Sequence, residues 1–309
     1  INSRQVEGLV VDARTHKQTA LHAIHKLADA KVAAIVGPMT SQTAVTIVPR
    51  INNLKIPLIS PTVSTNELSG VDDYFFRVYY TNAQAAQLLA RHLTEQGKPL
   101  HIAAIYDLSN RAYTEDWVQY FQDMFEKQAG AKVSRIPFDI RTNTLYTDLA
   151  SMAIEANPDG ILLLANAVDT AMICQQLTKL HAEPALYATG WSYSDDLIQL
   201  GGKSVEGLNI IRSADPEDRA PAMQSFIKRY RQRFHATPNF PAVHAYDATR
   251  MILAIMRQET DPEAIRNHLL NMESFSGLQS DLSLDRFGEL RHPRLHFARI
   301  ANGQFISAH

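Results

Sequence analysis

Short, almost continuous apolar runs alternate along this chain with longer stretches whose apolar residues recur every three or four positions. No other feature limits the fold so tightly. Residues 8–11, 32–36, 57–60, 102–106, 133–138, 160–165 and 208–211 read as strands. Between them, the helical period marks 19–30, 43–52, 83–95, 114–128, 146–156, 170–181, 221–234 and 243–258. Runs such as AAIV (33–36) and GILLLA (160–165) have no polar alternation, which is how strands buried on both faces of a parallel sheet read. Strands and helices alternating at these lengths predict an α/β protein with doubly wound parallel sheets. The end of the chain is different. LSLDRFGELRHPRLHFARIANGQFI alternates and carries turns at Gly288 and Asn302-Gly303, so antiparallel strands are expected there.

At 309 residues the chain exceeds the usual single domain, and two lobes are expected. The net charge of -2 leaves no basic field for nucleic acid or anionic lipid. The one cysteine, Cys174, rules out an intramolecular disulfide. No apolar run approaches the ~20 residues that cross a bilayer, so no direct membrane insertion is expected of this sequence. Catalytic patterns are weak. GWSYS (190–194) lacks the final glycine of a nucleophile elbow, and neither a GxGxxG nor a Walker pattern occurs. His22 with His25, and His292 with His296, lack the companion ligands of a metal site. DLSLDRFGE (281–289) resembles part of a calcium loop, but Arg286 stands where the sharp turn needs glycine. Neither a metal, nor a cofactor, nor an enzymatic activity is expected.

Two strand ends are richer in hydroxyls than a helix cap requires. AAIVGPMTSQTA (33–44) passes from a strand through Gly37-Pro38 into Thr40, Ser41, Gln42 and Thr43. PLISPTVSTNEL (57–68) repeats the arrangement with Thr62, Ser64 and Thr65, and Ser64 stands at capping-box spacing from Glu67. In open α/β sheets, ligands bind beyond the carboxyl ends of strands, where helix N-termini favour anions. A carboxylate there would accept hydrogen bonds from Ser41, Thr62, Ser64 and nearby amides; the same residues also serve as caps and turn formers. Tyr113, in NRAYTEDW (110–117), reads as a loop residue between strand and helix. Trp191 and Tyr193 follow the strand-like ALYATG. Such loop aromatics stack on a ligand or close the end of a sheet.

The order of these stretches, from VEGLVVDARTHKQTA through YFFRVYYTNAQ and IAAIYDLSNRAYTEDW to HAYDATRMILAI, resembles the type I periplasmic binding proteins. Within them it is most similar to the branched-chain amino-acid-binding branch that serves ABC transporters. The resemblance covers essentially the whole chain and implies two α/β lobes joined by three crossovers, closing on a small ligand. Lobe one would hold 1–80 and 212–292; lobe two, 81–211 and 293–309. It implies a periplasmic or extracellular protein, free or lipid-anchored, that takes a small carboxylate in an interlobe cleft and hands it to a membrane permease. The alternative it leaves is the sensing domain of a kinase, cyclase or chemoreceptor.

Ser41 falls on the family's carboxylate-receiving hydroxyl, Thr62, Val63 and Ser64 on its second carboxylate-binding turn, and Tyr113 on its loop tyrosine, with Thr114 in place of a glycine. Gln42, Tyr80, Asn82, Asn166 and Trp191 complete the implied ligand contacts. Two departures stand out. Asn82 and Trp191 occupy places where acids often hold a ligand ammonium, so a carboxylate without a conventional ammonium clamp is expected, with Tyr79, Tyr80, Tyr113 and Trp191 favouring an aromatic one. The family also opens with a strand and helix before INSRQVEGLVVD, so a first βα unit of a longer chain is expected.

Overall fold

The structure, a computed structural model, describes residues 5–14, 16–97, 100–142, 144–215 and 218–308. It divides into two compact units, Ile1–Thr81 with Ala214–Arg294, and Asn82–Ser213 with Leu295–His309. The chain opens in the first unit with α1 (Lys17–Asp29), β1 (Ile35–Val36), α2 (Ser41–Leu54), β2 (Leu58–Ser60) and β3 (Phe75–Arg77). It builds the second with α3 (Asn82–Glu95), β4 (His101–Asp107), α4 (Arg111–Phe125), β5 (Lys132–Phe138), α5 (Tyr146–Glu155), β6 (Gly160–Leu164), α6 (Ala167–Lys179), β7 (Ala185–Ala188), α7 (Asp195–Gly201) and β8 (Asn209–Arg212). It returns to the first with α8 (Pro221–Phe234), α9 (Phe240–Ile255), α10 (Pro262–Asn271), β9 (Phe275–Ser276) and β10 (Asp281–Leu282), and ends in the second with β11 (His296–Ala301) and β12 (Gln304–Ala308).

In the first unit β1, β2 and β3 form a parallel sheet in that order, with Ile35 opposite Leu58 and Leu58 opposite Phe75. Successive side chains leave a strand on opposite faces. Leu58 and Phe75 therefore join Ile47, Val48 and Ile51 of α2, while Ile59 and Phe76 join Met251, Ile252 and Leu269 of α9 and α10. Helices cover both faces, as apolar parallel strands require. Arg77 ends β3 fully buried; its guanidinium donates to the Thr65 carbonyl at 2.8 Å, to Ser69 Oγ at 2.7 Å and to Glu289 Oε1 at 2.6 Å. A buried cation is tolerated when it is paired and hydrogen-bonded, and here both terminal nitrogens meet acceptors, which pins the loop that follows β2.

The second unit holds a seven-stranded sheet ordered β12-β11-β8-β7-β6-β4-β5, parallel except where β11 pairs antiparallel with β8 and β12. The β11–β12 hairpin turns at Asn302-Gly303, both with positive φ, the conformation that Asn-Gly turns favour. Central strands β4 and β6 are apolar and buried almost throughout. Ile161 and Leu163 pack with Leu149, Ile173 and Leu177 of α5 and α6. On α4, Trp117, Phe121 and Phe125 repeat every fourth residue and stack at 5.7 and 5.1 Å, all fully buried.

One expected strand is not there. Residues 8–11 are irregular, with Val10 95% exposed: a strand forms only where a neighbour takes its backbone hydrogen bonds, and among the described residues β1 pairs with β2 alone. The pattern also missed the short elements β3, α7, α10 and β9. Helix α4 begins at Arg111 rather than near 114, because a 3₁₀ turn at Leu108–Asn110, started by the Asp107 side chain accepting from the Ser109 amide, winds directly into it. Tyr113 is thus in the first turn of a helix, not in a loop.

Candidate functional site

The hydroxyls after β1 and β2 are knitted together within the first unit. Gly37, with φ of 134°, turns the chain out of β1 in a conformation that needs glycine. Thr40, not Ser41, caps α2: its Oγ1 accepts from the Thr43 amide at 3.3 Å and donates to Thr43 Oγ1 at 2.8 Å. Ser41 is freed for another task. Its Oγ accepts from the amides of Ser64 and Thr65, each at 3.3 Å, so the first turn of α2 holds the loop after β2. Ser60 adds a second stitch, accepting from the Thr62 and Val63 amides and donating to the Pro38 carbonyl at 2.9 Å. The Thr62 hydroxyl donates to the Met39 carbonyl at 2.6 Å.

The expected cradle residues Ser41, Thr62, Val63 and Ser64 are therefore brought together and buried, but with divided roles. The amides of residues 62–65 all serve Ser60 or Ser41 oxygens, and Thr62 ties the two loops. Gln42, half-buried, is the second residue of α2, and its carbonyl accepts from Thr46 Oγ1. Ser64 is not the expected cap of a capping box; Thr65 takes that place, accepting from the Glu67 amide at 3.2 Å.

Tyr80 is buried in the same unit. It stacks on Tyr79 at 4.1 Å and accepts from its hydroxyl at 3.2 Å, and Tyr79 meets the edge of His244 at 4.9 Å. Burial pushes the His244 imidazole down to about 4, so this aromatic group is neutral at physiological pH.

In the second unit, Asn82, Tyr113 and Trp191 come together. Tyr113 and Trp191 meet edge to face at 5.6 Å, a favoured aromatic geometry. Asn82, fully buried at the start of α3, donates from Nδ2 to the Tyr113 carbonyl and to Asp116 Oδ2, both at 2.9 Å. Asp116 was not among the expected site residues. Its one sequence signal is a place on the turn of α4 that carries Tyr113.

Asn166 caps α6, accepting from the Asp169 amide at 3.0 Å and donating to Asp169 Oδ2 at 2.7 Å, while Tyr146 donates to the other Asp169 oxygen. Tyr193 is a packing residue, its ring tilted against that of Phe305 and its hydroxyl accepting from buried Arg212 at 2.7 Å. At the end of β4, burial raises the pKa of Asp107, opposed by hydrogen bonds from Ser109. No group of residues suited to hold a metal ion occurs among the described residues.

The profile of the periplasmic binding protein family matches residues 1–304. Among solved structures, the leucine-binding protein LivK of Thermotoga maritima is 21% identical with a TM-score of 0.91, the match covering 100% of this chain and 88% of that one. The branched-chain amino acid transporter substrate-binding protein LivJ of Streptococcus pneumoniae, in complex with isoleucine, is 17% identical with a TM-score of 0.87, covering 100% and 89%. An ABC-transporter solute-binding protein of Rhodopseudomonas palustris, in complex with 3,4-dihydroxybenzoic acid, is 16% identical with a TM-score of 0.85, covering 99% and 86%. No curated protein matches the chain in sequence.

Proposed function

The chain belongs to the periplasmic binding protein family, and from that premise we propose that it is an extracytoplasmic solute-binding protein that captures a small carboxylate, an amino acid or an aromatic acid, for uptake through an ABC permease. The observation that carries this reading is the state of Ser41. Its oxygen accepts two amide hydrogens, so the hydroxyl has one hydrogen left to give. An oxygen that accepts two bonds donates a stronger one. The hydroxyl lies in the first turn of a fourteen-residue helix, where the dipole favours an anion. The protein needs no chemistry of its own for this task; binding and release suffice.

Isothermal titration with a panel of amino acids, aromatic acids and short dicarboxylates tests the proposal. At least one carboxylate binds, and Ser41→Ala weakens every carboxylate that does by roughly tenfold or more, the worth of a hydrogen bond to a charged group. Ser41→Thr, which keeps the hydroxyl, retains most of the affinity. Unchanged affinity in Ser41→Ala removes the carboxylate cradle.

A further inference from the structure

Helix α8 ends with four cations in six residues, Lys228, Arg229, Arg231 and Arg233, all of them exposed. None pairs with a carboxylate among the described residues. Asp218 precedes the helix, whose fourteen residues put it roughly 20 Å from the far end, where salt screens its charge. Two cations in the last turn suffice to complement the helix dipole. Lys228 and Arg229 lie further back, and Arg229 stands four residues from Arg233, a like-charge spacing that weakens a helix. The net charge of -2 conceals this cluster, because net charge averages over the whole surface.

The apolar stripe of the same helix runs off the end of the core. Met223, Phe226 and Ile227 are buried, Tyr230 is half-buried, and Phe234, next along the stripe, is 60% exposed. The Tyr230 and Phe234 rings lie 4.6 Å apart, and the Arg233 guanidinium is 6.0 Å from the Phe234 ring. An exposed ring among cations is the composition that settles at lipid headgroups, where the cations meet phosphates and the ring reaches the acyl boundary. Arg229 reaches the Tyr246 hydroxyl at 2.9 Å and Arg231 reaches Thr237 Oγ1 at 3.3 Å, while Lys228 and Arg233 make no hydrogen bond among the described residues. Long, unrestrained cations suit a fluid headgroup layer better than a shaped protein surface, where ordering them is costly.

We propose that the carboxyl-terminal half of α8, from Lys228 to Phe234, is an adsorption surface for anionic lipid. The inference goes beyond solute capture and does not depend on the Ser41 reading: adsorption keeps the protein at the membrane whichever solute it carries.

Cosedimentation of the full chain with vesicles tests it, using phosphatidylcholine alone and a three-to-one mixture of phosphatidylcholine and phosphatidylglycerol. The chain binds the mixture at low salt, binds the neutral vesicles far less, and is released by high salt. At roughly fivefold per cation, Lys228→Gln/Arg231→Gln/Arg233→Gln loses on the order of a hundredfold in affinity. Removing three exposed cations elsewhere, in Lys17→Gln/Lys26→Gln/Lys127→Gln, changes binding little, which separates the patch from net charge. Phe234→Ser keeps every charge and weakens binding severalfold, so it supplies a second variant should the first fail to fold. No binding to the anionic vesicles, equal losses in the two triple variants, or unchanged binding in Phe234→Ser overturns the proposal. Binding to a glutamate-rich peptide without binding to vesicles also overturns it, and assigns α8 to an acidic protein partner.

Discussion

His244 and Asp247 stand three residues apart on α9 and titrate in opposite senses. Burial pushes His244 down to about 4. It raises Asp247 to about 6, against the lowering effects of the Leu278 amide, which donates to the carboxylate, and of Arg250 at 3.8 Å. As the pH falls from about 6.5 towards 4, the unfolded chain takes a proton at residue 244 that the folded chain refuses, so stability is lost. As it falls from about 6 towards 4, the folded chain holds a proton at residue 247 that the unfolded chain has released, so stability is gained. At about 1.4 kcal/mol per pH decade, each effect is on the order of 3 kcal/mol, and the two nearly cancel. Single variants uncover them. Relative to the parent, His244→Gln gains stability between pH 6.5 and 4.5, while Asp247→Asn loses it. Urea unfolding at the two pH values checks this, and variants whose differences from the parent run in the same direction would contradict it.

At the scale of elements, the aromatic column of α4 is the clearest product of spacing. Trp117, Phe121 and Phe125 follow the i, i+4, i+8 rule that aligns side chains on one helical face, and all three are fully buried. Phe121→Ala leaves a cavity between two rings and costs about 3–5 kcal/mol, while Phe121→Leu costs far less because much of the volume is kept. Denaturant midpoints of the two variants measure this, and an alanine cost under about 1 kcal/mol would show that the column is not tightly packed. The edge strand β5 shows the alternation of a strand with one exposed face, while the strands β4 and β6 were legible because burial on both faces leaves unbroken apolar runs. Residues 8–11 carry the same signature yet form no strand, since apolar character does not supply a pairing neighbour. Helix α10 was signalled by Asp261-Pro262-Glu263, where Asp261 caps the Ala264 amide at 2.9 Å, but its apolar face is short. At the site, sequence pointed to the hydroxyls of both loops but left open which of them caps α2, because Ser41 or Thr40 serves equally well as a cap on paper. Asp116 was beyond reach. Its contact with Asn82 spans 34 residues and exists because α3 packs on α4.

For the molecule as a whole, the chain leaves and re-enters each unit, so each is assembled from segments distant in sequence. The last segment bears directly on the stability of the second unit. Strand β11 lies between β8 and β12, pairing with both through His296–Arg212 and Phe297–Ala308, and buries Ala298 and Ile300. Ile300 belongs to the same apolar cluster as Cys174, together with Leu163, Leu197, Val205 and Ile210. The Cys174 thiol is buried, and burial pushes it up to about 12, so thiolate is scarce and reagent cannot reach it until the cluster opens. Cys174 thus reports on the second unit alone, and it is the only thiol in the chain. Deleting residues 295–309 leaves β8 paired with β7 alone and removes Ile300 and Phe305 from the cluster. Ellman's reagent then labels Cys174 of the shortened chain within minutes in native buffer, while the intact chain is labelled only at the rate of its rare openings. Each kilocalorie of lost local stability speeds labelling roughly fivefold when opening is a fast pre-equilibrium. A shortened chain that protects Cys174 as well as the intact one would mean that β8 closes the sheet unaided and that the hairpin contributes nothing to the core it covers.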